Sequence, residues 1–192
     1  MCGRYELLGD NGTEVKKILE IVNSKYTKSI EIKTGEIFPT NTVPILAIQG
    51  KNVEIVPMKW GFPKWDGKGV IINARSETVE SKKMFSESFA LRRCVVLATG
   101  FFEWGYDAPK RKYLFRSKDT PMLYMAGFYS QAADETNFTI LTRAANSAVN
   151  AIHSRMPVIL YKDELVKWLA DYDFAKSIIN RDDVELVCKE TD

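Results

Sequence analysis

The sequence has only three cysteines, one histidine and no CxxC pair in 192 residues. Cys2, Cys94 and Cys188 are too few and too scattered to form a disulfide framework. With His153 the sole imidazole, a Cys/His zinc centre of the usual ligand spacing is not available, so a metal is not expected. No apolar run approaches the roughly 20 residues that cross a bilayer. The opening MCGRYELLG has no signal-peptide hydrophobic region. The expectation is a cytoplasmic protein with no membrane partner. Internal repeats, low-complexity stretches and Ser/Gly-rich linkers are also absent, which leaves a single domain over residues 1–192.

What is present describes an ordinary globular chain, 45% hydrophobic and 27% charged, long enough to bury its own core. The net charge of +2 hides an uneven distribution. Residues 59–118 carry 13 basic and 6 acidic side chains, whereas residues 162–192 carry 5 and 9. A basic middle is the footprint of a polyanion partner. A surplus of solvated loop cations such as Lys110, Arg111 and Lys112 would look the same, and charge alone does not choose between them.

Periodicity places a first helix over 13–25, with Thr13 as N-cap and Val15, Ile18, Leu19 and Val22 as its apolar stripe. The apolar segments 43–48 and 53–58 flank Gln49-Gly50-Lys51-Asn52 as a hairpin. A short strand over 70–73 ends at Asn73, and a helix over 78–91 sets Val79, Phe85, Phe89 and Leu91 towards one side. Residues 94–98 read as a buried strand, and 112–116, 122–128 and 137–142 as further strands. A short helix at 146–152, a strand at 157–160, helices at 163–170 and 173–180 and a strand at 184–188 complete the chain. Strands interrupted irregularly by helices predict an α+β fold, a curled, mostly antiparallel, barrel-like sheet with flanking helices.

Four features carry chemistry. Cys2 follows Met1, and because its side chain is small, N-terminal processing would leave cysteine as the first residue. Its α-amine would have a reference pKa of about 7.7–8.0. Such an amine can form an imine with an aldehyde, which the neighbouring thiol can close into a thiazolidine. Alternatively, a cysteine stands there by accident. In Ile72-Asn73-Ala74-Arg75-Ser76-Glu77, Asn73 can orient a carbonyl or hydroxyl, and Arg75 lies on the same face of an extended segment. Arginine is shaped to grip phosphate, although both residues also cap strand ends. In Thr99-Gly100-Phe101-Phe102-Glu103-Trp104-Gly105, a carboxylate between aromatic rings loses hydration and becomes a general acid-base, unless alternation leaves Glu103 exposed. His153, in Ala151-Ile152-His153-Ser154-Arg155-Met156-Pro157, is a catalytic candidate or a core histidine, with Arg155 two residues on. Trp60, Trp65 and Trp104 supply π-faces for stacking bases, or for the core.

Together, Met-Cys-Gly-Arg-Tyr, Trp60-Gly61-Phe62-Pro63, Asn73-Ala74-Arg75-Ser76-Glu77-Thr78, Met84-Phe85, Gly100-Phe101-Phe102-Glu103-Trp104 and His153-Ser154-Arg155-Met156-Pro157 closely resemble the SOS-response-associated peptidase (SRAP) family, in order and spacing, from residue 1 to about 160. Members of that family crosslink to abasic sites in single-stranded DNA through an N-terminal cysteine. The resemblance implies that Cys2 supplies amine and thiol, and that Asn73 positions the opened deoxyribose and the amine. It makes Glu103 the acid-base group for imine formation, ring closure and removal of Met1. His153 would assist sugar-ring opening and proton transfer near the 3′ phosphate. Arg4, Arg75 and Arg155 would hold phosphates; Pro39, Trp65, Met84 and Trp104 would stack on or wedge between bases. Lys83 and Thr142 complete the implied DNA contacts, Lys83 standing where an arginine is expected and so keeping the charge without the fork. The family's longer closing segment is not evident after residues 184–187.

The resemblance further implies a monomer that meets abasic single-stranded DNA, associates with the nucleoid when bound, needs no diffusible cofactor, and has autopeptidase and weak lyase activity. Two other classes compete: an N-terminal-nucleophile cysteine amidohydrolase, and a non-catalytic single-stranded DNA-binding module.

Overall fold

In the computed structural model, which describes residues 2–8, 13–26, 30–106, 108–132, 135–181 and 184–191, the chain enters a sheet at once. Strand β1 (Arg4–Leu7) begins two residues after Cys2 and buries Tyr5 and Leu7. Helix α1 (Thr13–Tyr26) turns Val15, Ile18 and Val22 inward, with Leu19 packed beside them, as the 3.6-residue spacing predicts. The Thr13 side chain, expected as its cap, lies outside what is described. The short β2 (Gly35–Ile37) pairs back on β1. Strands β3 (Thr42–Gln49) and β4 (Asn52–Trp60) form the expected hairpin, and Gly50 takes the φ of +62° that its two-residue turn needs.

Two expectations fail in the next stretch. The single strand over 70–73 is instead a ribbon partner, β6 (Val70–Ile71), paired with β5 (Phe62–Pro63), and a separate β7 (Asn73–Arg75). The chain changes partners at Ile72, whose carbonyl accepts from Trp60 Nε1 and from the Ile140 N–H. The helix over 78–91 is also broken. Ser76–Thr78 form a 3-10 turn, and α2 spans only Ser86–Leu91. Val79 and Phe85, six residues apart, would point about 120° apart on one continuous helix. The break lets both reach the core, while Leu91, expected inside, is exposed.

Strand β8 (Arg93–Ala98) is buried at every residue. Then come β9 (Gly100–Trp104), β10 (Lys112–Ser117), β11 (Leu123–Ala132) and β12 (Glu135–Ala144). Asn146 caps α3 (Ser147–Asn150) by accepting from the Val149 N–H. Strands β13 (Arg155–Pro157) and β14 (Ile159–Leu160), helices α4 (Leu165–Ala170) and α5 (Tyr172–Ile178), and β15 (Leu186–Thr191) follow.

The ladder β12-β4-β3-β8-β11 closes on itself through β11–β12 pairing, so these five strands form a barrel. Its pairs are antiparallel except β12–β4. Strand β7 continues the β4 edge of β12, also parallel, and β13 continues the opposite edge. A second sheet runs β15-β10-β9-β1-β2. Gly100 at the start of β9 permits the tight approach of β10, because a Cβ there would stand 2.7 Å from Leu114 Cδ1 and 2.8 Å from the Phe115 carbonyl.

Phe62, Phe85 and Phe89 pack their rings around Phe128 at centroid distances of 5.6–6.1 Å. Buried Arg93 donates to the carbonyls of Phe89, Ala90, Trp168 and Leu169, fastening α2 and α4 to the barrel. Trp60 is fully buried between Tyr5 and Phe138, which removes it from the base-stacking candidates. Phe128→Ala should lower unfolding stability by about 3–5 kcal/mol through the cavity it opens, read from urea denaturation. A loss below 1 kcal/mol would contradict this account of the core.

Candidate active site and basic groove

Three distant segments meet at Cys2. Strand β1 pairs with β9, which carries Glu103; β7 pairs with β12 and brings Asn73; and β12 pairs with β13, behind which His153 turns in. Cys2 is fully buried, and its thiol points to the Arg4 carbonyl at 3.5 Å. Burial, followed by the charge of Glu103, pushes the thiol well above its ordinary range, so it is held as S–H. Asn73 Nδ2 donates to the Cys2 carbonyl at 2.8 Å. The other end of that amide, Oδ1, is a buried acceptor with no hydrogen-bond partner among the described residues.

Glu103 is only 2% exposed, which overturns the alternative of a solvated glutamate on an alternating strand. Burial pushes its carboxyl up to about 7. His153 Nε2 stands 3.8 Å from Glu103 Oε2. His153 Nδ1 accepts from the Arg155 N–H at 3.1 Å and lies 3.3 Å from the Arg155 carbonyl, so the backbone of Arg155 sets the ring and leaves Nε2 facing Glu103. Burial also lowers the histidine from its usual value, so near neutrality a carboxyl poised between its two protonation states and a neutral imidazole share one site.

Beside Asn73 opens a cleft of about 680 Å³ lined by Ile71, Asn73, Arg75, Lys82, Lys83, Met84 and Phe85. Its cations are exposed and, among the described residues, take part in no ion pair. The basic excess of residues 59–118 is otherwise largely neutralised. Lys59 pairs with Glu135, Arg92 with Glu87, Arg111 with Glu190, Lys112 with Glu36, Arg116 with Glu6 and Lys118 with Glu185. Among the described residues of that segment, the exposed cations outside an ion pair are those of this groove, together with Lys64, Lys68 and Lys110.

The other expected DNA contacts stand in different states. Trp65 is 94% exposed on the loop between β5 and β6, and Met84 is exposed at the groove. Arg4 lies 3.7 Å from the Phe38 ring centroid and 5.5 Å from that of Trp104, and its Nη1 bonds Glu36 at 2.7 Å. Half-buried Pro39 follows Phe38 into a turn where Thr40 takes φ +72°. The Arg155 guanidinium is largely taken up by protein partners. Glu77 holds its guanidinium from both carboxylate oxygens, Nη2–Oε2 at 3.0 Å, and Nη2 also donates to the Thr142 carbonyl at 2.7 Å. Thr142 is fully buried, donates its hydroxyl to the Ala74 carbonyl, and braces Arg155 instead of facing the groove.

Lys82, Glu77, Phe38 and Tyr106 join the site without having been singled out from sequence. Lys82 was legible as part of the basic run. Glu77 lay inside the Asn73 motif, but nothing local links it to Arg155, 78 positions on. No group of three or more His, Cys, Asp or Glu among the described residues could hold a metal ion.

A family model described as SOS response associated peptidase (SRAP) matches residues 1–185. The chain belongs to that family. It is 32% identical to abasic site processing protein YoqW of Bacillus subtilis, over 96% of this chain and 90% of that one. It is 28% identical to abasic site processing protein YedK of Escherichia coli, over 88% and 79%. A crystal structure of a Bacteroides thetaiotaomicron protein superposes with a TM-score of 0.81 at 25% identity, covering all of this chain and 92% of that one. The SRAP fold is thus that of the closed barrel and second sheet described above.

The buried Glu103 makes stability depend on pH. Its folded pKa of about 7 exceeds the ordinary 4.5, so the folded chain holds the proton more tightly than the unfolded one. The resulting stability is present below the lower value and lost as pH rises through the upper. Glu103→Gln should therefore match the parent protein near pH 4.5 and exceed it at pH 8 by roughly 2–3 kcal/mol, measured by urea unfolding. An equal difference at both pH values would contradict a carboxyl raised by burial.

Proposed function

We propose that this protein processes abasic sites in single-stranded DNA by forming a thiazolidine through Cys2, after Met1 is removed. The observation that carries the reading is the conjunction of Asn73 on the Cys2 carbonyl with a buried Glu103, its carboxyl raised to about 7, beside the same residue. Relatives named as abasic site processing proteins support the substrate.

With Met1 gone, the Cys2 amine adds to the aldehyde carbon of the opened sugar, forming a C–N bond and a carbinolamine. Glu103 gives its proton to the hydroxyl, which leaves as water, and the nitrogen lone pair closes the imine. The thiol then adds to the imine carbon. Its high pKa keeps it from reacting first as thiolate, so amine attack comes before sulfur. As the S–C bond forms, the S–H proton passes to the Glu103 carboxylate and the imine nitrogen becomes an amine. The sum is aldehyde plus cysteine giving thiazolidine plus one water.

Asn73 Oδ1 is a ready acceptor for an amine or sugar hydroxyl proton. His153 shuttles protons on the side of the 3′ phosphate, and β-elimination from the imine accounts for a weak lyase activity that thiol capture suppresses. In removal of Met1, an autopeptidase step, Glu103 serves as acid-base group while water adds to the Met1 carbonyl; the Met1–Cys2 amide breaks, methionine leaves and the Cys2 amine is freed. Arg75, Lys82 and Lys83 take the DNA backbone along the groove, with Met84, Trp65, Trp104 and Pro39 on the bases. Arg4 and Arg155 are oriented by carboxylates and meet phosphate at the rim. One monomer in the cytoplasm holds every group needed.

Incubation with an abasic single-stranded oligonucleotide should give an adduct that survives denaturation. Cys2→Ala keeps an N-terminal amine and should yield an adduct only after borohydride reduction. No adduct with the parent protein would defeat the proposal and leave a simple binding module, and an undiminished one with Cys2→Ala would defeat it by placing the covalent chemistry elsewhere. Adduct formation needs neutral amine, with a reference pKa of about 7.7–8.0, and protonated Glu103. Its rate should therefore peak near pH 7–7.5, and Glu103→Gln should lower it and abolish the alkaline fall. Lys82→Ala and Lys83→Ala should each weaken binding to undamaged single strands and reduce the salt slope by about 0.7; an unchanged slope would remove the groove from the interface.

A further inference from the structure

His153 is fixed at its backbone, where its N–H donates to the Val149 carbonyl at 2.9 Å, and at Nδ1, where the Arg155 N–H donates to it. Neither bond covers the faces of the ring. Tyr106, 47 residues earlier and two beyond the end of β9, stacks on it with centroids 5.6 Å apart and planes 17° from parallel. The tyrosine hydroxyl reaches the same turn. It accepts the Ser154 N–H at 3.0 Å and donates to Ser154 Oγ at 3.2 Å. Stack and hydroxyl therefore grip the histidine turn at two points from the strand that carries Glu103.

The consequence lies at Nε2. An imidazole turns freely over a broad range about Cβ–Cγ unless its faces are packed. The 3.8 Å approach of Nε2 to Glu103 Oε2 survives only while that rotation is stopped. We propose that Tyr106 is a positioning residue for His153, its ring and hydroxyl together keeping Nε2 on Glu103. The inference rests on the reading of Glu103 and His153 as the acid-base pair. Tyr106 itself is 67% exposed and contributes little to the core, so its replacement leaves the fold in place.

The test uses the fact that His153 is the sole histidine, so one imidazole signal reports on it in a proton NMR titration without DNA. Tyr106→Ala should remove the ring-current shift of that signal and move its titration up towards 6.5 as cover is lost. With abasic single-stranded oligonucleotide it should slow adduct formation about tenfold, in line with a misplaced proton-transfer group, while affinity for undamaged oligonucleotide stays within about twofold. Tyr106→Phe keeps the ring and loses both hydroxyl bonds. It should retain the ring-current shift and most of the rate, with a loss of about threefold. A His153 titration unchanged in Tyr106→Ala, or a rate loss fully matched by lost affinity, would overturn the proposal. Absence of any adduct with the parent protein would instead contradict the abasic-site reading, and the titration then decides the role of Tyr106 by itself.

Discussion

Desolvation of one carboxyl organises this site. Glu103 sits on β9, between the strand that begins behind Cys2 and the strand β10, where Tyr113 stands opposite it, and it is buried there. A glutamate in that place is poised between its charged and neutral forms near pH 7, and the same lack of water, followed by the glutamate's charge when ionised, raises the Cys2 thiol. The same burial that costs stability at high pH thus sets an order of events in the proposed chemistry: nitrogen first, sulfur second, with one carboxyl giving and then recovering a proton. Asn73 adds geometry to this electrostatics by anchoring the Cys2 carbonyl and leaving its own oxygen available.

The surface charge follows a similar economy. Several cations of the basic middle are spoken for by acids from other parts of the chain, including Glu185 and Glu190 of the acidic C-terminal end. The polyanion footprint therefore contracts to the groove beside Asn73, where Arg75, Lys82 and Lys83 line one cleft. Arg4 and Arg155 are poised differently, each held by a carboxylate that fixes its direction, so a phosphate approaching them meets an oriented guanidinium and a competing anion.

Much of the fold was legible because burial imposes period. The α1 stripe, the β3–β4 hairpin and the buried β8 follow from side-chain spacing and one turn glycine. The failures occur where tertiary bonds override local pattern. Trp60 Nε1 captures the Ile72 carbonyl and splits an apolar run into two strands, and Val79 and Phe85 break a helix in order to share a core. At the site, residue identity announced Cys2, Asn73, Glu103 and His153 as candidates. Their convergence was not readable from spacing, since it depends on β1–β9, β7–β12 and β12–β13 pairing across the whole chain. Partners such as Glu77 on Arg155 and Tyr106 on His153 carry no local signal at all, because each joins segments more than 45 residues apart.

The central claim is that Cys2 uses both its amine and its thiol on one carbon. Mass analysis of the adduct after nuclease and trypsin digestion tests it most directly, on the peptide spanning residues 2–4. The account predicts the sugar remnant on Cys2 at a mass lower by one water than the sum of the parts, with no gain of two hydrogens on borohydride treatment. A remnant on a lysine, or one on Cys2 that gains two hydrogens under borohydride, would contradict it.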